Sequence, residues 1–481
     1  MPSLPARFSS ESTNVPRSAD GTVEVPGRMD EMLQMSTWIG PAVLTVFCMA
    51  YALVFAEEKL GLRKSKPVMI AASLIWILVA IAFRLEGRSQ EVGVKLRDVL
   101  LDYTELFLFL LSAMSFVNTL VERNVFEVLR ARLTGLRLSA RGIFWTVGTI
   151  AFFLSPIADN LTTALVMGTV AIAALGHDKK ATVSTLVNVV VAANAGGAFS
   201  PFGDITTLMI WQRGMVPFNE FFALFFPSLI SWLIPAAIIS LTIPRKMASA
   251  ATFTAEVRKG GYVVAGLFLA TIATTVLLDH TLHLPPFLGM MMGLGGLNLY
   301  SYFLHRAEAR ILANEPNNST LSPQGDTKWY PRRPFSIFNI LEKVEWDTLL
   351  FFYGIMLCIG GVGALGYLHV LSTFLYAGFG NTTANITIGI LSAIVDNIPL
   401  TFAVLTMNPP MNLGQWLLLT LTAGIGGSLL SIGSAAGVAL MGIGRETYTF
   451  TSHLKWSWAI LLGFGAGVAA HLLLNHGLLM Q

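Results

Sequence analysis

Apolar stretches long enough to cross ~30 Å of hydrocarbon recur along this chain at 36–56, 67–83, 99–119, 181–212, 217–244, 260–279, 285–304, 346–367, 412–444 and 454–475. The pattern predicts ten crossings. Two further apolar stretches, 142–175 and 371–408, are interrupted near their middles by related polar phrases, Ser155-Pro156-Ile157-Ala158-Asp159-Asn160 and Ser392-Ala393-Ile394-Val395-Asp396-Asn397. A carboxylate at bilayer depth costs at least ~3 kcal/mol on insertion scales, so its default meaning is an ion or substrate path. The repetition of the phrase gives that path two halves.

Charge at the ends of these stretches sets their direction. The stretch 142–175 follows a loop with Arg123, Arg130, Arg132, Arg137 and Arg141 and precedes Lys179 and Lys180, so both of its ends are expected at the cytoplasm. The stretch 371–408 has no Lys or Arg on either flank, and both of its ends are expected outside. Each therefore reads as a re-entrant hairpin, one from each face. With this topology inside segments collect 23 of the 31 Lys and Arg residues. The discordant segment is 84–98, placed outside although it carries Arg84, Arg88, Lys95 and Arg97.

The expected fold is thus an all-α polytopic membrane protein of two inverted repeats, 36–244 and 260–475. Each holds three spans, a hairpin, a broken span (181–212 and 412–444) and a last span. A cytoplasmic linker at 245–259 joins them, and a long polar cytoplasmic loop at 304–345 lies within the second. Inverted repeats place a site at their shared interface near the midplane. The segment 121–138, with Phe126, Leu129, Leu133 and Leu136 at helical spacing, is expected to form an interfacial helix or a solvated connector.

Composition agrees with this class: 54% of residues are hydrophobic and 12% charged, about half the charge of an average soluble protein. The basic residues are spread among loops and form no stripe, which argues against nucleic acid as a partner. Residues 1–31, with Pro2, Pro5, Pro16 and Pro26, read as a disordered tail. Cys48 and Cys358 have no CxxC spacing and indicate neither a disulfide framework nor a metal centre. No Walker loop, post-strand GxGxxG or HExxH is present, so neither an enzyme of those types nor a cofactor is expected.

The chemistry concentrates where the spans break. Asn194-Ala-Gly196-Gly197-Ala-Phe-Ser200-Pro-Phe-Gly203-Asp204 in the first half is matched by Gly424-Ile-Gly426-Gly427-Ser-Leu-Leu-Ser431-Ile-Gly433-Ser434 in the second. Paired glycines free backbone carbonyls, which a membrane tolerates only beside protein or a water-filled cavity; alone they also serve close helix packing. Carbonyls, with neutral oxygens from Ser155, Asn160, Asn194, Ser200 and Thr206, suit a small alkali cation. Desolvation favours the neutral form of Asp159, Asp204 and Asp396, so protons compete with a cation for the same oxygens. Asp102 and Glu105 share one face of the third span; Glu105 is a candidate proton relay or a snorkelling interfacial carboxylate.

Taken in order, the Asp159-Asn160-Leu-Thr, Asn194-to-Asp204-Ile-Thr206, Asp396-Asn397-Ile-Pro and Gly426-to-Ser434 motifs resemble those of the NhaD-type sodium/proton antiporters. These belong to an ion transporter superfamily that also holds arsenite permeases and dicarboxylate carriers. The resemblance runs from about residue 36 to the C-terminus. It implies exchange of cytoplasmic Na+ or Li+ for external protons without a cofactor, in a bacterial inner membrane or an organellar one. It also implies a homodimer with a scaffold part and a mobile transport part. On this sequence the family's functional positions fall on Ser155, Asp159, Asn160, Asn194, Asp204, Thr206, Ser392, Asp396, Asn397, Ser431 and Ser434, with Glu105 a contributor and Na+ or Li+ held at Asp159 and Asp204. The competing expectations are a sodium-coupled anion, dicarboxylate or arsenite-type transporter and, further off, a membrane subunit that transports nothing.

Overall fold

The structure, a computed structural model, describes residues 38–135, 138–176, 178–244, 255–313, 335–444 and 447–480. The expected tail at 1–31, most of the linker 245–259 and much of the loop 304–345 lie outside the described residues. The elements are helices: α1 Ile39–Phe55, α2 Ser65–Leu85, α3 Ser89–Glu122, α4 Val125–Gly135, α5 Ala140–Ala158, α6 Asn160–Leu175, α7 Lys179–Gly197, α8 Ile205–Gln212 and α9 Phe225–Ser240 in the first half of the chain. The second half holds α10 Gly261–Leu282, α11 Pro286–Ala313, α12 Trp346–Ala364, α13 Asn381–Leu391, α14 Asn397–Met407, α15 Leu413–Gly426, α16 Ala435–Ile443 and α17 Ser457–Leu474, with a few shorter turns between. Among the described residues eight segments are long and apolar enough to cross a membrane. The protein is an all-α polytopic membrane protein.

Local chemistry explains where the two interrupted spans start and restart. α7 begins at Asp178, whose carboxylate accepts the Ala181 N–H at 3.0 Å, and α15 begins at Asn412, whose side chain accepts the Gln415 N–H at 3.0 Å. After the breaks, α8 restarts on Asp204 and α16 on Ser434, each capping its helix with a side-chain oxygen. Capping side chains satisfy amide groups that a helix start leaves without partners. The same device therefore appears at four corresponding points.

Helices α2 and α12 pack together, α3 packs on both α11 and α12, and α10 packs on α11. The interrupted segments pack among themselves, α5 on α6 and α7, α13 on α15 and α6 on α16, and the last spans α9 and α17 pack on each other. The first group surrounds the second on one side, with α14 touching α12 and α8 touching both α14 and α3.

Three boundaries differ from expectation. The segment 84–98 is no loop beyond its first residues, because α3 starts at Ser89 and runs for 34 residues, about 51 Å of helix. Its first turns are charged, and hydropathy cannot tell charged helix from loop; Arg88 holds Glu91 there through two hydrogen bonds of 2.7 and 2.6 Å. The second interrupted stretch narrows to α13 and α14, since Tyr367–Ala377 forms separate short helices and Gly380, at φ 77°, redirects the chain before α13. Within 121–138, α4 turns Phe126 and Leu133 into the protein, while Leu136 lies outside the described residues. The first interrupted stretch has unequal arms, 19 and 16 residues, and α5 alone is long and apolar enough to span.

Candidate functional site

Asp204 is where the two halves of the chain meet. Its Oδ1 accepts the Thr206 N–H at 3.0 Å, and its Oδ2 accepts the side-chain amide of Asn160 at 2.9 Å and that of Asn397 at 3.1 Å. One amide comes from the α5/α6 turn and the other from the α13/α14 turn. The carboxylate is 4% exposed, and three N–H donors compensate part of the cost of burying it. Asn160 Nδ2 also reaches Asn194 Oδ1 at 3.1 Å, while Asn194 Nδ2 donates to the hydroxyls of Ser428 and Ser434, both at 2.9 Å. One network therefore links both interrupted segments of both halves.

Two serines brace the turns against their neighbours. The Ser155 hydroxyl donates to the Ala193 carbonyl at 2.6 Å, and the Ser392 hydroxyl donates to the carbonyls of Gly389 at 2.7 Å and Ala423 at 3.1 Å. Ser200 donates to the Pro156 carbonyl at 2.9 Å, and Ser431 points its hydroxyl at Met441 Sδ, 3.2 Å away. Around this network, among the described residues, Oγ1 of Thr163, Thr206 and Thr401 and Oδ1 of Asp396 are buried without a hydrogen-bond partner.

The glycine pairs stand where the helices end: α7 stops at Gly197 and α15 at Gly426, with Gly427 the first residue beyond it. What the glycines permit is contact. A methyl at Gly196 would collide with the Phe152 carbonyl and one at Gly426 with the Gly389 carbonyl, so each pair lets a helix lie against the hairpin arm beside it. A methyl at Gly197 would sit 2.5 Å from the Gly203 oxygen, and one at Gly427 2.7 Å from the Gly433 oxygen. The breaks fold back on themselves through those positions.

Asp159, Asp204 and Asp396 line one cavity of about 110 Å³, together with Asn160, Asn397, Lys64 and Glu345. That volume admits several waters. The three carboxylates do not close into a cage, and among the described residues no three His, Cys, Asp or Glu side chains gather as metal ligands. An open set of hard oxygens with many neutral members has the chemistry that suits an alkali cation.

The two turn aspartates differ. Asp159, at φ 58°, turns the chain between α5 and α6, and Thr162 holds it by an N–H at 2.7 Å and a hydroxyl at 2.9 Å. In the second turn Pro399 stands where Thr162 stands in the first. Proline has no N–H to give, so Asp396 cannot repeat the cap. Its Oδ2 instead lies 4.0 Å from Lys64 Nζ.

Glu105 stands apart from this group. It lines a separate cleft with Asp102, Gln212 and Arg213, where Arg213 pairs with Asp102. That cleft lies at the far end of α8 from Asp204, about 12 Å along the helix. Lys64, Glu345, Ser428 and Thr162 escape the sequence reading. Ser428 directly follows the second glycine pair and Thr162 stands three residues after Asp159, both usable signals; Lys64 and Glu345 look like ordinary loop charges.

The chain matches the family described as citrate transporter over residues 32–312 and 334–424. Among curated relatives it is 50% identical over 444 residues to a Na(+)/H(+) antiporter NhaD from Alkalimonas amylolytica, covering 92% of each chain. It is 48% identical over 442 residues to a Na(+)/H(+) antiporter NhaD from Vibrio cholerae, covering 91% of this chain and 92% of that one. It is also 30% identical over 446 residues to Sodium/proton antiporter 1 of Arabidopsis thaliana, covering 90% of this chain and 72% of the plant protein.

Proposed function

The chain belongs to the citrate transporter family and, within it, to the NhaD-type antiporters, and from that membership we propose that it exchanges Na+ or Li+ for protons by alternating access. It is a transporter and not an enzyme. The observation that carries the proposal is the convergence of Asn160 and Asn397 on Asp204 inside a cavity shared with Asp159 and Asp396. Two opposed turns then hold one water-accessible group of carboxylates in which a cation and protons exclude each other. When the carboxylates ionise, they and the oxygens of Ser155, Asn160, Asn194, Ser200, Thr206, Ser392, Asn397, Ser431 and Ser434 form the cation path. When protons bind, the cation leaves. High pH on the loading side therefore favours Na+ entry, and low pH on the other side favours its release.

Lys64, Asn118, Glu345 and Thr348 also line the cavity. The charge pattern assigns the ends that carry them to the cytoplasm, which supports an inward-open state loading cytoplasmic Na+. Helices α5 to α9 and α13 to α17 serve as the mobile part, and the remaining spans as scaffold. Glu105, beyond α8, serves as a relay toward the outer face. A carboxylate-lined cavity repels citrate or another anion, which argues against an anion carrier on this chain.

Reconstitution into vesicles with a pH-sensitive dye tests the exchange. A Na+ or Li+ jump is expected to move protons in the opposite direction without nucleotide. Uptake of citrate or dicarboxylate with no Na+-dependent pH change would overturn the proposal. Residence in a bacterial inner membrane and a homodimeric state complete it; light scattering of the detergent-solubilised protein reads the second directly, and a monomer mass would remove it.

A further inference from the structure

Among the described residues lining the three-aspartate cavity, Lys64 is the basic one. Its Nζ stands 4.0 Å from Asp396 Oδ2 and 4.5 Å from the centroid of the Phe351 ring. The ammonium thus sits between a carboxylate and the negative face of an aromatic ring, two features that attract cations in general. Lys64 immediately precedes α2, which packs on α12, the helix that carries Phe351. Asp396 belongs to the α13/α14 turn, so the contact crosses from the scaffold helices to the interrupted ones. The other oxygen of Asp396 is buried and has no hydrogen-bond partner, and Pro399 denies the carboxylate the cap that Asp159 enjoys. Asp396 is therefore a cavity carboxylate that is met from one side by a cation belonging to the chain itself.

We propose that Lys64 is a tethered competitor of the transported ion. It engages Asp396 while the cavity is open on the Lys64 side, offsets one of the negative charges that Asp159, Asp204, Asp396 and Glu345 bring to the cavity, and so keeps cation affinity low enough for rapid release. Movement of the α13/α14 turn away from α2 separates the pair and frees Asp396. The inference rests on the antiport reading and deepens it, because it gives Asp396 a part distinct from that of Asp159. Lys64 acts through Asp396 and is a positioning residue that sets cation affinity without touching the ion.

The test uses the full chain, reconstituted for exchange and also titrated with Na+ in detergent by thermal shift. Lys64→Gln is expected to lower the apparent KM for Na+ presented on the Lys64 side at least threefold with no gain in maximal rate. The Na+ concentration giving half-maximal thermal stabilisation should fall in parallel. Lys64→Arg, which keeps the charge, should stay within twofold of the parent. In an Asp396→Asn background Lys64→Gln should leave the Na+ titration unchanged, since double-mutant coupling is confined to groups that interact. Should Lys64→Gln fail to accumulate, Lys64→Met, which keeps an apolar stem against Phe351, carries the same expectation. A Na+ response within twofold of the parent in the neutral variant, or an equal fall in the Asp396→Asn background, overturns the inference. A parent chain that exchanges no Na+ for protons overturns the antiport reading instead, so the two failures are distinguishable.

Discussion

The two broken spans restart on different side chains, Asp204 in the first and Ser434 in the second, although both do the same local work. Each caps the helix that follows, and Asp and Ser are nearly equivalent as helix caps. Folding alone therefore does not choose between them. The choice follows from charge: a second carboxylate at position 434 would stand near the same buried network and repel Asp204. One half thus supplies an anionic group, and the other supplies the hydroxyl that Asn194 uses to hold the network together. The same capping role at the two restarts thus carries different chemistry.

The sharpest way to break this comparison is to make the two restarts identical. Asp204→Ser retains a capping oxygen but takes an acceptor from the buried amides of Asn160 and Asn397, so the protein is expected to fold with a stability loss of about 1–3 kcal/mol. Exchange should nevertheless fall at least about a hundredfold, roughly 2.7 kcal/mol of lost stabilisation, because the carboxylate shared by Asn160 and Asn397 is gone. The matching change in the other half, Ser434→Ala, removes a cap and one acceptor for Asn194. It is expected to cost about 1 kcal/mol in stability and to raise the KM for Na+ severalfold while leaving measurable exchange. Vesicle exchange and thermal unfolding of the purified variants check both. Equal damage from the two substitutions would sink the division of labour.

Much of this was legible in the sequence because membranes make polarity expensive. The phrases around Asp159 and Asp396 and the glycine pairs announce themselves against an apolar background, and the structure brings Asp159, Asn160, Asn194, Asp204, Asp396 and Asn397 around one cavity and its hydrogen-bond network. What escaped was of two kinds. Lys64 and Glu345 come from loop ends, where charge is cheap and carries no signal until the fold swings it toward the cavity. The second use of the glycines escaped as well: the pairs stand at the helix ends, and Gly196 and Gly426 also make room for the carbonyls of Phe152 and Gly389. Similarly, the charged first turns of α3 resemble a loop in hydropathy, yet they are helical from Ser89, with Arg88 pairing with Glu91 across the helix start.

A finer comparison separates the two turn aspartates. Thr162 donates both an N–H and a hydroxyl to Asp159, whereas Pro399 donates nothing to Asp396, so Asp159 has a side-chain partner on its own helix where Asp396 faces Lys64 across the cavity. Thr162→Val retains the N–H and the shape of the side chain and deletes the hydroxyl alone. A hydrogen bond of this kind is worth about 1 kcal/mol net, equivalent to roughly fivefold in affinity. Because the hydroxyl stabilises the ionised carboxylate that a cation needs, its loss is expected to raise the KM for Na+ by about that factor at fixed pH, with the maximal rate little changed. The effect is far smaller than that of Asp204→Ser, because the backbone half of the cap survives. Na+ titrations of exchange in vesicles read it directly, and a KM equal to the parent's would mean that the N–H alone holds Asp159 and that its contrast with Asp396 rests on the backbone.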